Sequence, residues 1–392
     1  MVRRLSTSRS VAAAPSSMEL APVGVQFAVR WGSKVTPEQQ DSMRSAWTRC
    51  TTTETPLAPP LPDEPNADQP YSASVEYRTP THDGGTFLLQ AASFEELAEN
   101  LTSRLTVAAI LANAGELMML HACGVADPAT GAVVALVAKS GTGKTTAASL
   151  LARTYGYVTD ETVAIHPDGS IVPYPKPLSV KQGSGKPKRQ VGPDRLGLQP
   201  APAKPFIQSI VLLDRVETGA APMLTKVPLA DAVLALIPDS SSQGAIEEPL
   251  QSLCRLIDSV GGVWQVTYSE ASDLPAALAP LFRNQLKSKP KWAAAATEAQ
   301  EPGPTPENHI RRAPAKDAVT IDGDLLVMLE DEIVRLSGIG PAIWDATKRA
   351  IPMDQLAEEV ARVHGRPEGY RAAVVKATEQ LVGKAVLKNG GR

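Results

Sequence analysis

"GAVVALVAKSGTGKTTAASLLARTYGYVTDETVAI", residues 131–165, decides how the rest of the chain is read. An unbroken apolar run, Ala132–Val137, leads into a loop of small residues closed by one lysine and two threonines. An apolar stretch with helical spacing follows and stops at Gly156. Strand, glycine loop, then helix is the setting a phosphate-binding loop of the form G-x-x-x-x-G-K-[ST] requires. Residues 138–145 match that form everywhere but at the first position, where Ala138 replaces glycine. Ser140, Gly141, Thr142 and Gly143 would present backbone N–H groups to phosphate oxygens, and Lys144 a cation to the outer phosphates. Thr145 offers a hydroxyl to Mg²⁺, and Thr146 continues the first helical turn, whose dipole favours an anion. Glycine at position 138 is needed only if φ is positive or a β-carbon collides there. The expectation is a loop competent for ATP and Mg²⁺, the alternative a decayed loop that merely packs as a turn.

Nucleotide chemistry also needs a carboxylate for magnesium, and transfer to a hydroxyl needs a base. Asp160 and Glu161, in "YVTDET", stand at the end of the next strand signal and could divide those tasks; a solvated acidic turn is the other reading. His121 precedes the loop strand, either as a group working near phosphate or as a packed core histidine. Lys181, Lys186, Lys188 and Arg189, in "VKQGSGKPKRQ", form a basic loop that either closes over an anion or faces water.

The stretch "LHACGVADPATGAVVALVAKSGTGKTTAASLLARTYGYVTDETVAI" resembles the catalytic core of the HPr kinase/phosphorylase family and its relatives. In that family a histidine precedes the loop strand and an acidic pair follows the next helix. The resemblance implies ATP- and Mg²⁺-dependent phosphorylation of a hydroxyl, with His121 and Lys144 in the site. It also implies Asp160 as general base and Glu161 as a magnesium ligand, in roles that could be exchanged. The chain departs from the pattern at Ala138 and Glu161, and it has no clear counterpart of a later arginine-containing signature. Those departures point away from the phosphocarrier HPr as substrate and toward the relatives found beside peptide-modifying enzymes.

Outward from this core, helix and strand signals alternate over residues 95–288, the pattern of an α/β domain. Residues 101–120 read as an apolar helix, 206–214 and 262–268 as strands, and His166-Pro-Asp-Gly169 as the turn of a hairpin. Residues 19–94 read as a β-rich region, with strands at 23–31 and 72–79 around a Pro-rich loop at 55–70. Residues 1–18 read as a disordered leader lacking the apolar core of a signal sequence; an organelle transit peptide is the alternative. No stretch reaches the length of a membrane span, and three scattered cysteines suggest free thiols and a cytoplasmic protein. With 39 Lys+Arg against 42 Asp+Glu, no global field draws in nucleic acid or a membrane. Homo-oligomerisation is left open.

Residues 289–314 mix alanines and prolines in a polar setting and read as a linker. Beyond it, 315–392 read as strands with turns at Asp322-Gly323 and Asp331-Glu332, then three helices, the first opening at Pro341. This segment resembles the PqqD-like peptide-recognition domain, a small α+β winged-helix-like module. The resemblance implies capture of the leader of a ribosomally made precursor peptide as an added strand. Leu325–Leu329 and Ile333–Leu336 would form the edge, with Leu326, Met328, Val334, Leu336 and Trp344 as peptide contacts and peptide-modifying enzymes as partners. With 12 Asp+Glu and 11 Lys+Arg, the segment lacks the basic face that DNA demands. A purely structural module, with Trp344 in its core, is the plainer alternative. The combined expectation is a peptide Ser/Thr kinase. Its rivals are a nucleotide-binding adaptor without catalysis and a small-molecule kinase.

Overall fold

The computed structural model describes residues 17–52, 70–79, 84–138, 143–217, 219, 221–283, 290–298, 304–330 and 332–391. Residues 1–16, nearly all of the Pro-rich loop, and Ser140, Gly141 and Thr142 lie outside the described residues, whereas Ser17 and Met18, read as the end of the leader, open a strand whose backbone pairs with Arg30 and Val29. The chain divides into two compact units, Met1–Ala112 with Pro173–Gln199, and Asn113–Val172 with Pro200–Arg392.

The first unit is built on an antiparallel sheet of four strands in sequence order, β1 (Ser17–Leu20), β2 (Gln26–Trp31), β3 (Tyr71–Arg78) and β4 (Gly85–Ala91). Helix α1 (Pro37–Ala46) starts at a full capping box, in which Thr36 and Gln39 satisfy each other's backbone N–H groups. Helix α2 (Phe94–Ala112) lays Leu97, Leu101, Leu105 and Ala109 along one buried face, the four-residue spacing of an amphipathic helix. The helix expected over 101–120 therefore ends at Ala112. Met118–Leu120 is a strand instead, because the turn through Gly115 (φ 88°) releases it to pair on both sides. The basic loop joins the hairpin strands Leu178–Val180 and Arg189–Val191 of this unit, where Lys188 pairs with Glu99 of α2.

The second unit is a mixed α/β structure. Its strands are β5 (Met118–Leu120), β6 (Ala122–Ala126), β7 (Ala132–Val137), β8 (Gly156–Thr159), β9 (Val163–Ile165) and β10 (Ile171–Val172), while β11 (Leu178–Val180) and β12 (Arg189–Val191) are the hairpin strands of the first unit. They continue with β13 (Gln199–Pro200), β14 (Phe206–Arg215), β15 (Met223–Lys226), β16 (Ser240–Ser241) and β17 (Val263–Tyr268). The principal sheet has the order β13-β8-β6-β7-β14-β17-β15, with β7, β14 and β17 mutually parallel and β6 and β15 antiparallel to their neighbours. Every residue of β7 is buried, as expected of a central strand covered on both faces. A smaller antiparallel sheet has the order β10-β9-β5-β16. The hairpin expected around His166–Gly169 is present as β9 and β10. Helices α3 (Lys144–Leu151), α4 (Leu229–Leu236), α5 (Pro249–Ser259) and α6 (Leu274–Leu278) complete this part.

The C-terminal region adds β18 (Trp292–Ala294), β19 (His309–Arg312), β20 (Asp317–Ile321), β21 (Asp324–Met328) and β22 (Ile333–Leu336). Helices α7 (Gly340–Ala346), α8 (Met353–His364) and α9 (Tyr370–Gly383) follow, together with short strands β23 (Ile351–Pro352) and β24 (Leu387–Asn389). Two segments of the stretch read as a linker are strands: β18 pairs with the outer side of β20, and β19 lies between β23 and β24. Composition conceals this because the ordering comes from long-range bonds, among them Trp292 Nε1 donating to Asp258 of α5 at 2.7 Å.

Alternation along β20 and β21 buries both faces of the β18-β20-β21-β22 sheet. Val319, Ile321, Leu326 and Met328 share a core with Leu250, Leu253, Cys254 and Ile257 of α5. Leu325, Val327, Val334 and Leu336 face α7 and α8, packing with Ile343, Trp344, Leu356 and Val360. Asp317, only 2% exposed, accepts from the α5 backbone at Leu250 N (2.8 Å) and Gln251 N (3.0 Å), and from Gln251 Nε2 at 2.8 Å. It thereby satisfies donors that a helix start leaves open. Asp317→Ala strands these buried donors and should cost about 2–3 kcal/mol of stability, read from the denaturant midpoint at unchanged m-value.

Candidate functional site

Two segments pass from one sheet of the second unit to the other, and the site forms where they cross. The chain leaves β5 and enters β6 through His121, and leaves β8 and enters β9 through Asp160, Glu161 and Thr162. Strand register brings these crossings to the end of β7. Ala122 pairs with Val137, setting His121 beside Ala138, and Gly124 pairs with Thr159, setting Asp160 near Cys123. Residues far apart in sequence thus meet at the C-terminal end of β7.

Ala138 has no positive φ, so its backbone does not require glycine; Gly143, at φ 99°, does. That separates the loop's glycine positions physically, and Ala138 costs the loop no backbone strain. Ala138→Gly is therefore expected to change nucleotide affinity by less than about threefold and to lower stability by about 0.5–1 kcal/mol through a freer unfolded chain. Titration calorimetry and thermal melting of the same variant check both. A large gain in affinity would instead mean that the alanine impairs the loop.

Lys144 opens α3, is buried, and donates Nζ to the carbonyl oxygen of Ala138. Burial pulls its ammonium below the ordinary lysine value, against the stabilising charges of Asp239 and Glu161. Thr145 is partly buried and Thr146 exposed on the same turn. Asp160, 6% exposed, accepts a hydrogen bond from the Tyr157 hydroxyl at 3.0 Å. Thr159 Oγ1 accepts from the backbone N–H groups of Glu161 and Thr162, both at 3.2 Å, and so fixes the turn that carries the acids.

Burial, and next the Lys144 ammonium, hold His121 below the ordinary histidine value, opposed by Glu161 and Asp239. Its imidazole is therefore uncharged at neutral pH. A depressed value means that the folded state resists protonation: the stability this contributes is present above the ordinary histidine range and lost as pH falls through the lowered value. Cys123, paired with Leu136 of β7, has its thiol pushed up to about 12 by burial, which leaves it unreactive.

Asp239 belongs to this constellation and carries no motif in the sequence. It is brought in by β16, whose Ser240 pairs with Leu120, so that the His121 N–H reaches the Asp239 carbonyl at 2.6 Å. The signal that could have found it is the pairing itself, which no local pattern encodes. Lys181, Lys186, Lys188 and Arg189 belong to the other unit and are mostly exposed.

The residues read as peptide contacts are core residues. Leu326 and Met328 pack toward α5, and Val334, Leu336 and Trp344 pack within the C-terminal region, all at 6% exposure or less. Leu325–Leu329 is not an edge either, because β21 is hydrogen-bonded to β20 on one side and β22 on the other. Among the described residues β22 is one of the two outer strands of that sheet, β18 being the other. Its Arg335 bridges Asp324 (2.6 Å) and Asp231 of α4 (2.7 Å).

Among the described residues no group of three or more His, Cys, Asp or Glu side chains could hold a metal ion, and no helix is long and apolar enough to cross a membrane. The cysteines at 50, 123 and 254 are free thiols. The hard oxygen donors beside the loop, Thr145 with Asp160 and Glu161, suit Mg²⁺, which takes one or two carboxylates and fills its shell with phosphate and water. No family model and no curated protein matches the chain. Among solved structures it is similar to the Hpr(Ser) kinase/phosphatase from Coxiella burnetii, at 14% identity over 42% of this chain and 92% of that one; the TM-score is 0.22, a likeness too slight to argue from.

Proposed function

We propose that this chain is an ATP-dependent phosphotransferase acting on a hydroxyl. The supporting observation is the register that gathers His121, Lys144, Asp160, Glu161 and Asp239 at one end of β7. A cation on a helix start, hydroxyls on the same turn and a carboxylate pair across from them are the parts that phosphoryl transfer requires. Asp160 takes the proton of the acceptor hydroxyl as its oxygen bonds to the γ-phosphorus and the bond to the β-phosphate oxygen breaks. Lys144 holds the outer phosphates, and the neutral His121 lies beside it without adding a second cation. Thr145 and Glu161, with Asp160 as the exchangeable partner, would hold Mg²⁺, which neutralises phosphate charge when bound.

The acceptor in this reading is a Ser or Thr of a ribosomally made precursor peptide. The C-terminal region supports it through its resemblance to peptide-capturing modules and through the outer position of β22, whose backbone can take an added strand. Capture raises the effective concentration of the acceptor, so the catalytic site itself need not bind it tightly. Incubation with ATP, Mg²⁺ and precursor peptides encoded beside the gene should add the mass of one phosphate. No mass gain on any of them would count against the peptide, and no ATP turnover with any hydroxyl acceptor against the kinase.

A further inference from the structure

A cavity of about 540 Å³ opens at the other end of the principal sheet, within the range of small-molecule sites. Its wall includes Ala132, the first residue of β7, whereas the phosphate loop follows Val137, the last. Six residues of strand separate the two by about 17 Å. Tyr155, beyond the far end of α3, lines it as well, so both elements that frame the loop place this cavity at their opposite ends.

Aromatic residues are only 4% of the chain, yet Tyr155, Phe206 and Phe282 meet here. Tyr155 and Phe282 stack with ring centroids 4.3 Å apart and planes 16° apart, and Phe206 remains 38% exposed. The pairing of β14 with β7 shifts register between Ile207 and Ser209, so Gln208 is the extra residue of a β-bulge, a device that re-aims a side chain. It is 8% exposed and lines the cavity. An amide on the wall of a largely apolar cavity, offering a donor and an acceptor, is a recognition group for a ligand.

We infer that this cavity binds a purine nucleoside, its base lying on the aromatic wall and its edge read by the Gln208 carboxamide. That amide presents a donor and an acceptor side by side, matching the amino group and N7 of adenine. A phenyl ring would fill the wall but leave the amide unpaired. Asp127 accepts from Ala129 N at 3.0 Å and Thr130 Oγ1 at 2.9 Å and keeps lone pairs for ribose hydroxyls. Arg283 lines the same cavity and balances the negative charge of Asp127. Burial, then Asp127, raises the Tyr155 phenol, which stays a neutral donor.

Adenosine lacks the phosphates the loop would hold, so calorimetric titration of the full chain with adenosine isolates this site. Binding should be equal in wild type and Lys144→Met, and weaken at least tenfold in Gln208→Leu and at least fivefold in Phe206→Ala. Thermal melting confirms folding. Should the buried Gln208 variant fail to fold, the half-exposed Phe206 variant decides alone. No heat up to millimolar adenosine, binding that survives substitution in the folded variants, or binding lost with Lys144→Met overturns the inference.

Discussion

Lys144→Met should lower ATP-dependent phosphoryl transfer by roughly 10²–10³-fold, the scale on which loss of one charge-stabilising donor acts. Lys144 is 8% exposed at the start of α3, and burial already depresses its ammonium. Methionine fills the same volume without a desolvated charge, so the folded state should melt within about 1 kcal/mol of wild type. That pairing of outcomes separates chemistry from stability. Nucleotide affinity should fall with turnover, because the lysine serves the bound ground state as well as the transition state. Turnover at the wild-type rate in a folded Lys144→Met protein would falsify the assignment of this loop as the phosphate site.

Asp160→Asn should leave nucleotide affinity within a few fold while cutting turnover by about 10²–10⁴-fold, the usual contribution of a positioned general base. Asparagine keeps an oxygen to accept the Tyr157 hydroxyl bond, so the turn held by Thr159 should persist. Only proton acceptance is removed. A Glu161→Gln variant is the companion: if Glu161 mainly holds Mg²⁺, raising its concentration should restore part of the activity there and none in Asp160→Asn. The same pair distinguishes a kinase from an adaptor that binds nucleotide as a signal, since enhancement of a partner enzyme by an adaptor would survive the loss of Asp160's carboxylate. Rescue by Mg²⁺ in the Asp160 variant alone would reverse the two roles.

Much of this site was legible in residues 131–165, because a buried strand, a glycine turn and a helix start are local events. Their spacing and side-chain types are written consecutively, as are those of the hairpin at His166–Gly169. The harmlessness of Ala138 was not legible, since φ at one residue depends on how the loop is closed. Asp239 was invisible for a different reason: Ser240 meets Leu120 only once β5 and β16 pair across 120 positions of sequence. The C-terminal region divides in the same way. Apolar alternation marked its strands and helical spacing its helices, yet both faces of its sheet turned out to be buried, which made pocket candidates into core residues. By itself the sequence marked most of the elements and singled out the candidate loop lysine, threonines and acids, because propensity and periodicity act within a few residues. Only the tertiary structure decided which strands are inner or outer, that β18 covers β20, and that Asp239 joins His121 and Lys144, because hydrogen-bond register between distant strands is settled by the whole core at once.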